Sequence, residues 1–144
     1  MDDQAIGTGG HGSAAGSLQA NTLEASLTVK DLSTSMNWYC EVLGFQVDQR
    51  HERNGALVAA SLSAGTARIV VGQDDGARGM DRVKGEGFSL YLTTLQDIDV
   101  LAGEVKARGG ELMSGPEDTP WGTRVFRVKD PDGFKFAISS PRAI

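Results

Sequence analysis

Apolar and polar residues alternate in the first region of the chain that has a regular pattern. The apolar positions are Leu23, Ala25, Leu27 and Val29, and the polar positions between them are Glu24, Ser26, Thr28 and Lys30. A period of two predicts a β-strand with one apolar face. From Asp31 to Leu43 the apolar residues are spaced as on a helix, with Ser33 as a candidate N-cap and Gly44 as the end signal. This region therefore predicts a strand followed by a helix.

Further strands are predicted on both sides of a glycine-rich segment. Three follow the helix, at about Phe45–Arg50, Ala56–Leu62 and Ala67–Val71, and are separated by Asn54-Gly55 and Ala64-Gly65. The charged, glycine-rich residues 74–86 are interpreted as a linker. The second half repeats the order, with a strand at Phe88–Thr94, a helix at Asp97–Arg108 and strands at Glu111–Met113, Thr123–Val128 and Phe134–Ser139. The pattern predicts an α+β protein of two βαβββ modules, at about residues 23–73 and 87–140.

The two predicted modules share one sequence offset. Asp31 and Asp97 are 66 positions apart, and Gly44 and Gly110 are separated by the same number. One offset thus aligns the start and the end of both predicted helices. Its agreement with the order of the strands supports an internal repeat.

Length and composition limit the number of domains and the kinds of partner. A chain of 144 residues suits one domain with a substantial core. We predict a disordered tail rich in Gly, Ser and Ala at residues 1–21, which contains His11, and a single domain at residues 22–144. The net charge is −5 and no basic block is present, which argues against nucleic acid as a partner. No apolar stretch is long enough to span a membrane or to act as a secretory signal, so we expect a cytoplasmic protein.

Isolated reactive residues give little indication of chemistry. Cys40 is the one cysteine, which excludes an intrachain disulfide, and its helical position favours packing over nucleophilic catalysis. His51 stands among charged and polar residues, which indicates a solvated strand end. Asp74-Asp75-Gly76 resembles the start of a calcium loop, but the other ligands of such a loop are missing. We therefore expect a solvent-exposed loop at that position.

Three segments together resemble a known superfamily. They are LTVKDLSTSMNWYCEVLGF in the first half, and DIDVLAGEVKARGG and PEDTPWGTRVFRVKDPDGFKFAI in the second. In this order and spacing the chain resembles the vicinal oxygen chelate superfamily, which includes glyoxalase I, extradiol dioxygenases, and bleomycin-resistance and fosfomycin-resistance proteins. The resemblance spans roughly Leu23 to Ser140. It implies a curved, mixed eight-stranded sheet around a pocket, with the helices outside, and usually a homodimer.

Metal-using members of this superfamily place four ligands, usually His and Glu, on pocket-facing strand positions. The matching residues are Glu24 for the first ligand, Val70 or Val71 for the second, Ser89 or Leu90 for the third and Ala137 for the fourth. Glu24 is the one carboxylate in this set, and the side chains of valine, leucine and alanine cannot donate a lone pair. A single carboxylate provides too few ligands for a transition metal. We therefore expect neither a metal ion nor another cofactor.

The same alternation predicts which side chains face the pocket. The set comprises Glu24, Ser26, Thr28, Arg68, Val70, Ser89, Tyr91, Lys135 and Ala137. A carboxylate in a partly closed cup needs a counter-ion, so we hypothesise that Arg68 or Lys135 pairs with Glu24. Trp121 either forms an aromatic wall beside the ligand or fills the core. Five further aromatic residues are expected to pack in the core or, for the two in the helix, also on the helix surface, and they are Trp38, Tyr39, Phe126, Phe134 and Phe136.

The leading functional prediction is a metal-independent protein that binds a small organic molecule, for example by sequestering an antibiotic or a metabolite. The predicted ligand contacts are Ser26, Arg68, Ser89, Tyr91, Trp121 and Lys135. One alternative is a lyase-like or isomerase-like enzyme in which Glu24 is a general base and Arg68 or Lys135 stabilises the developing anion. Another is a metal-dependent lyase or dioxygenase whose ligand positions differ from those assigned above. The sequence leaves open the identity of the ligand and the role of the loop at about residues 74–87.

Overall fold

The computed structural model of the protein describes residues 14–142. Residues 14–24 contain no helix or strand and are exposed to solvent. The predicted tail is therefore described only in its last part. His11 lies outside the described residues, as does the rest of the segment 1–13.

Each half of the chain contains one βαβββ module. Module 1 consists of β1 (Ala25–Val29), α1 (Leu32–Glu41), β2 (Gln46–Arg53), β3 (Ala56–Ala64) and β4 (Ala67–Gln73). Module 2 consists of β5 (Leu90–Thr93), α2 (Ile98–Ala107), β6 (Leu112–Asp118), β7 (Thr123–Lys129) and β8 (Lys135–Pro141). This order confirms the predicted α+β fold with two modules. Within residues 14–142, no helix is long and apolar enough to cross a membrane.

The eight strands form two four-stranded sheets. In sheet 1 the order is β1-β4-β3-β2, and in sheet 2 it is β5-β8-β7-β6. The first strand of each module pairs in parallel with the last one, and the other neighbours are antiparallel. Because β1 and β5 are both edge strands, no ladder of hydrogen bonds joins the two sheets in the described part of the chain. The eight strands of the curved surface implied by the resemblance thus belong to two four-stranded sheets.

Both helices begin with an aspartate cap. The Asp31 carboxylate accepts the Thr34 N–H at 3.2 Å, and the Asp97 carboxylate accepts the Val100 N–H at 3.1 Å. An N-cap side chain satisfies an amide of the first turn in this way. The prediction that Ser33 is the cap is wrong, because Ser33 lies within the first turn of α1.

The two glycines that the repeat offset aligns, Gly44 and Gly110, are required for different reasons. Gly44 and Gly109 adopt left-handed φ values of 86° and 91°, which glycine tolerates without steric cost. The repeat offset aligns Gly44 with Gly110, but Gly110 does not have a left-handed φ. A Cβ atom at Gly110 would lie 2.6 Å from side-chain atoms of both Val42 and Val105. Close packing between the modules, rather than a turn, therefore requires the glycine at this position.

Residues of both modules meet in one hydrophobic core. Its fully buried members include Leu62 and Val71 of sheet 1 and Phe126 and Phe136 of sheet 2. Tyr39 of α1 joins them, with its ring centroid 5.7 Å from that of Phe136. Since the apolar faces of both sheets contribute to the same core, the opposite faces of the sheets point away from it.

A buried hydrogen bond joins α1 to the turn between β7 and β8. The Tyr39 hydroxyl donates to Asp130 Oδ2 at 2.7 Å, and Asp130 Oδ1 accepts the backbone N–H groups of residues 132–134. Burial raises the pKa of the Tyr39 hydroxyl and that of the Asp130 carboxyl above their ordinary values. This turn of module 2 is thus anchored to the helix of module 1.

Candidate functional site

Sheet 1 presents small and polar side chains on the side away from the core, which we call the open face of sheet 1. The strand register places Ser26, Val70 and Ser61 in one row across β1, β4 and β3. The next row contains Thr28, Gly72 and Ala59. These short side chains form a shallow floor, and Ser26 is exposed on it.

An ion pair lies at one end of this face. Glu24 Oε2 is 3.6 Å from Arg68 Nε, and the two side chains are 35% and 51% exposed, respectively. Of the two counter-ions considered for Glu24, the structure therefore places Arg68 beside it. Lys135 instead donates from Nζ to the carbonyl oxygen of Gly85 at 3.1 Å. An exposed ion pair contributes only about 0–1 kcal/mol to stability. Because separating the two side chains costs so little, both charges remain available to a ligand.

Two side-chain pairs that sequence reasoning missed also lie on the open face of sheet 1. Ser63 Oγ donates to Asp48 Oδ1 at 2.9 Å, and His51 Nε2 lies 3.1 Å from Ser61 Oγ. His51 is half-buried. The expectation of a solvated strand end is met in position only, because His51 is the third residue from the end of β2 but its imidazole is half-buried and lies against Ser61.

A β-bulge in β2 explains why these residues were missed. Asp48 and His51 are three residues apart, and strict alternation would place them on opposite faces of the sheet. The pairing of β2 with β3 shifts between Val47 and Gln49, so that Asp48 is an extra residue. A bulge redirects side chains and gives no signal in a pattern of apolar and polar residues.

The side of sheet 2 that points away from the core, which we call the open face of sheet 2, carries an aromatic ring. Tyr91 of β5 and Arg127 of β7 are both paired with Ala137 of β8. Tyr91 is 60% exposed, whereas Ala137 between them is 1% exposed. Arg127 Nη1 lies 3.4 Å from Glu117 Oε1. This face therefore combines a ring and a guanidinium group over a small, covered residue.

Strand pairing also assigns the positions that the sequence left ambiguous. Leu90 is opposite Phe136 and packs against the core, so its side chain does not reach the open face. Ser89 directly precedes β5 and shares the side of Tyr91 by alternation. In sheet 1, Val71 is fully buried in the core, and Val70 is the residue in the row with Ser26 and Ser61.

One cavity between the modules brings several predicted site residues together. Its volume is about 590 Å³, and its lining includes Glu24, Arg68, Ser89 and Tyr91, with an apolar part formed by Ile69, Leu90 and Phe136. Ligand pockets in proteins have volumes of about 300–1,000 Å³. A second cavity of about 640 Å³ adjoins the first at Tyr91 and extends toward α2. Ser26, Trp121 and Lys135 do not line either of these cavities.

Trp121 lies in the turn between β6 and β7 and is 71% exposed. The interpretation that Trp121 fills the core is therefore wrong. Trp38 is half-buried and contacts Tyr39 edge-on, with ring centroids 5.0 Å apart. The four other aromatic residues expected in the core are all buried, and they are Tyr39, Phe126, Phe134 and Phe136.

The side chains at the four superfamily ligand positions do not fit a transition metal. These positions hold Glu24, Val70, Ser89 and Ala137, of which only Glu24 has a carboxylate. A divalent metal in such a site needs three or four nitrogen, sulfur or carboxylate ligands. Within residues 14–142, no three His, Cys, Asp or Glu side chains are grouped so that they could hold an ion.

Comparison with known proteins adds a family and several similar structures. The family model described as Glyoxalase/Bleomycin resistance protein/Dioxygenase superfamily matches residues 21–138. A probable lactoylglutathione lyase of Synechocystis sp. is 27% identical over 122 residues, which cover 81% of this chain and 92% of the relative.

Two similar crystal structures show the fold. That of TioX from Micromonospora sp. ML1 has a TM-score of 0.69 at 20% identity, covering 85% of this chain and 99% of that chain. That of TnmS3, an antibiotic binding protein from Streptomyces sp. CB03234, has a TM-score of 0.67 at 24% identity, covering 85% and 97%. At these identities the likeness establishes the fold and not the ligand.

Proposed function

Because the chain belongs to the glyoxalase/bleomycin resistance protein/dioxygenase superfamily, we propose that it binds a small organic molecule without the help of a metal ion. The observation that carries this proposal is the cavity of about 590 Å³, which is lined by both the Glu24–Arg68 pair and the Tyr91 ring. An apolar wall with a few convergent polar groups is the usual form of a small-molecule site. The side chains at the four superfamily ligand positions offer too few metal ligands, which supports binding without a metal.

The cavity lining suggests the chemistry of the ligand. Tyr91 supplies an aromatic surface that can stack on a planar or apolar body. Glu24 accepts hydrogen bonds, Arg68 donates them, and the Ser89 hydroxyl can do either. An aromatic antibiotic or metabolite with hydrogen-bonding substituents fits this combination. Sequestration of such a molecule is further supported by the similar structure of an antibiotic binding protein.

We propose further that the working form is a homodimer. In the single chain, β1 and β5 are edge strands. Edge strands offer unpaired backbone groups to another chain. Light scattering during size-exclusion chromatography should give twice the chain mass of 15.2 kDa. A monomer at high micromolar concentration would contradict this part of the proposal.

Binding is tested by calorimetric titration with a panel of aromatic antibiotics that includes bleomycin. We expect saturable binding of at least one member, and about tenfold weaker affinity, equivalent to about 1.4 kcal/mol, in each of the variants Tyr91→Ala and Arg68→Gln. Arg53→Gln is the matched control, because Arg53 is exposed on β2, at the opposite edge of sheet 1 from β1. Equal losses of affinity in all three variants would reject the cavity as the binding site.

Metal independence has a separate test. Elemental analysis of protein purified without added metal should find less than stoichiometric Zn, Ni and Fe, and treatment with EDTA should leave the affinity for the antibiotic unchanged. Near-stoichiometric metal that is lost together with binding would contradict the proposal.

A second candidate function is enzymatic, and the Glu24–Arg68 pair favours it. Glu24 could abstract a proton from a bound substrate, and Arg68, with its Nε 3.6 Å from the carboxylate, could stabilise the resulting anion. The variant Glu24→Gln separates the two functions. If Glu24 is a general base, turnover stops while binding is retained; if the protein only binds, no turnover is found in either form.

A further inference from the structure

A third cavity, of about 410 Å³, lies where β1 and β4 end and the linker begins. Its lining includes Thr28, Asp74, Arg78 and Arg82. Thr28 belongs to the open face of sheet 1, so this cavity adjoins that face. Neither Glu24 nor Tyr91 takes part in it, and the cavity is thus separate from the proposed ligand cavity.

Two cations share one carboxylate oxygen beside this cavity. Asp74 Oδ2 accepts hydrogen bonds from Lys84 Nζ at 2.7 Å and from Arg82 Nη2 at 2.9 Å. The Asp74 and Lys84 side chains are 2% and 6% exposed. The hydrogen bond from Lys84, followed by those from the Gly76 N–H and from Arg82, holds the pKa of Asp74 well below its ordinary range. Asp74 is therefore ionised, and its single charge is shared between two cations.

The charges around the cavity leave a positive excess. Arg78 forms no ion pair with any of residues 14–142 and is exposed. Asp75 also lines the cavity, and its carboxylate accepts the Ala77 N–H at 2.9 Å. The lining itself carries two cations, Arg78 and Arg82, and two anions, Asp74 and Asp75, and Lys84, which is outside the lining, adds a third cation through its bond to Asp74. One positive charge is left without a counter-ion.

We propose that this cavity binds an oxyanion, the carboxylate or phosphate group of an acidic small molecule. A guanidinium group presents five N–H donors, of which Arg82 uses one on Asp74, so both arginines can contact an anion. The Thr28 hydroxyl offers a further donor on the side of the open face. That the anion belongs to a ligand extending over the open face of sheet 1 rests on the function proposed above; the anion site itself does not.

Amide NMR spectra during titration with inorganic phosphate, and separately with acetate, at constant ionic strength test the proposal. We expect saturable shifts concentrated at the amides of Thr28, Arg78 and Arg82. Arg78→Gln should weaken the binding about tenfold, and Arg78→Lys, which keeps the charge but not the planar fork, should weaken it less. Arg53→Gln makes the same change of charge at the opposite edge of sheet 1 and should leave the affinity unchanged.

Comparison of the phosphate and acetate titrations identifies the chemical group that the cavity binds. Saturation by phosphate alone would identify a phosphate ester as the ligand group, and saturation by acetate alone would identify a carboxylate. Shifts that do not saturate, or equal weakening in Arg78→Gln and Arg53→Gln, would overturn the proposal. Saturable phosphate binding in a protein that binds no antibiotic would retain the anion site and reject the proposed function instead.

Discussion

The open faces of the two sheets differ, although the sheets have the same strand order. On sheet 1 the side chains are polar and paired, as in Glu24 with Arg68 and His51 with Ser61. On sheet 2 the main features are an exposed ring, Tyr91, and a guanidinium group, Arg127. The faces that point toward the core are alike, since both are apolar and join one cluster. The repeated fold thus depends on one face of each sheet, and the chemistry depends on the other.

The largest expected effect tests whether stability belongs to the core faces. Phe136→Ala removes a fully buried ring from sheet 2 and should lower the free energy of unfolding by about 3–5 kcal/mol. Tyr91→Ala removes a ring from the open face of the same sheet and should cost less than about 1 kcal/mol. Urea denaturation followed by circular dichroism measures both. Similar losses in the two variants would show that the two faces contribute equally, contrary to the comparison.

A smaller effect is expected at the linker end of sheet 1, where the Asp74 carboxylate shared by two cations is buried, whereas the Asp118 carboxylate shared by Arg124 and Arg142 in sheet 2 is exposed. Asp74→Asn should lower the melting temperature at pH 7 by roughly 5–10 °C, because Lys84 is then buried without a counter-ion. Asp81→Asn is the control, because the Asp81 side chain is almost fully exposed and its contact with Lys30, at 3.8 Å, is a weak surface pair. Calorimetric melting of the two variants checks the prediction.

The pH dependence of stability distinguishes the Asp74 ion pair from a loss of packing. The pKa of Asp74 is lower in the folded protein than in the unfolded chain, where an aspartate titrates at about 3.9. Its contribution is therefore present above about pH 4 and is lost as the pH falls below that value. The stability of Asp74→Asn should consequently fall less steeply than that of the wild type in this acid range. If the stabilities of the wild type and of Asp74→Asn fell equally steeply in this range, the Asp74 ion pair would not have this role.

The smallest expected effect concerns His51 on the open face of sheet 1. His51→Gln should weaken binding of the antibiotic identified in the panel by roughly threefold to tenfold, because one hydrogen-bonding group of the face is replaced. Stability should change by less than about 1 kcal/mol, since His51 lies outside the core. Glu52→Gln is a suitable control, as Glu52 is exposed next in the chain. Unchanged affinity in His51→Gln would indicate that the ligand contacts the cavity between the modules and not His51.

Much of the fold and part of the candidate site were accessible from the sequence. The alternation around Glu24 and around Tyr91 predicted the exposed side of each strand, because side chains of a regular strand point to opposite faces in turn. Arg68 was one of two predicted partners of Glu24, and the structure distinguishes it from Lys135. Asp48 was not predicted, because the bulge in β2 breaks the alternation on which the reasoning depends.

The sequence by itself determined the order of the elements, the two modules and the scarcity of metal ligands at the expected positions. The first two properties follow from local periodicity, and the third follows from the residue types at positions that the superfamily resemblance implies. None of them requires knowledge of distant contacts. Only the tertiary structure decided that Asp74 is shared by Lys84 and Arg82, and that Gly110 packs between Val42 and Val105. Such contacts depend on how the linker and the modules pack against each other, which the hydrophobic periodicity of the chain does not encode.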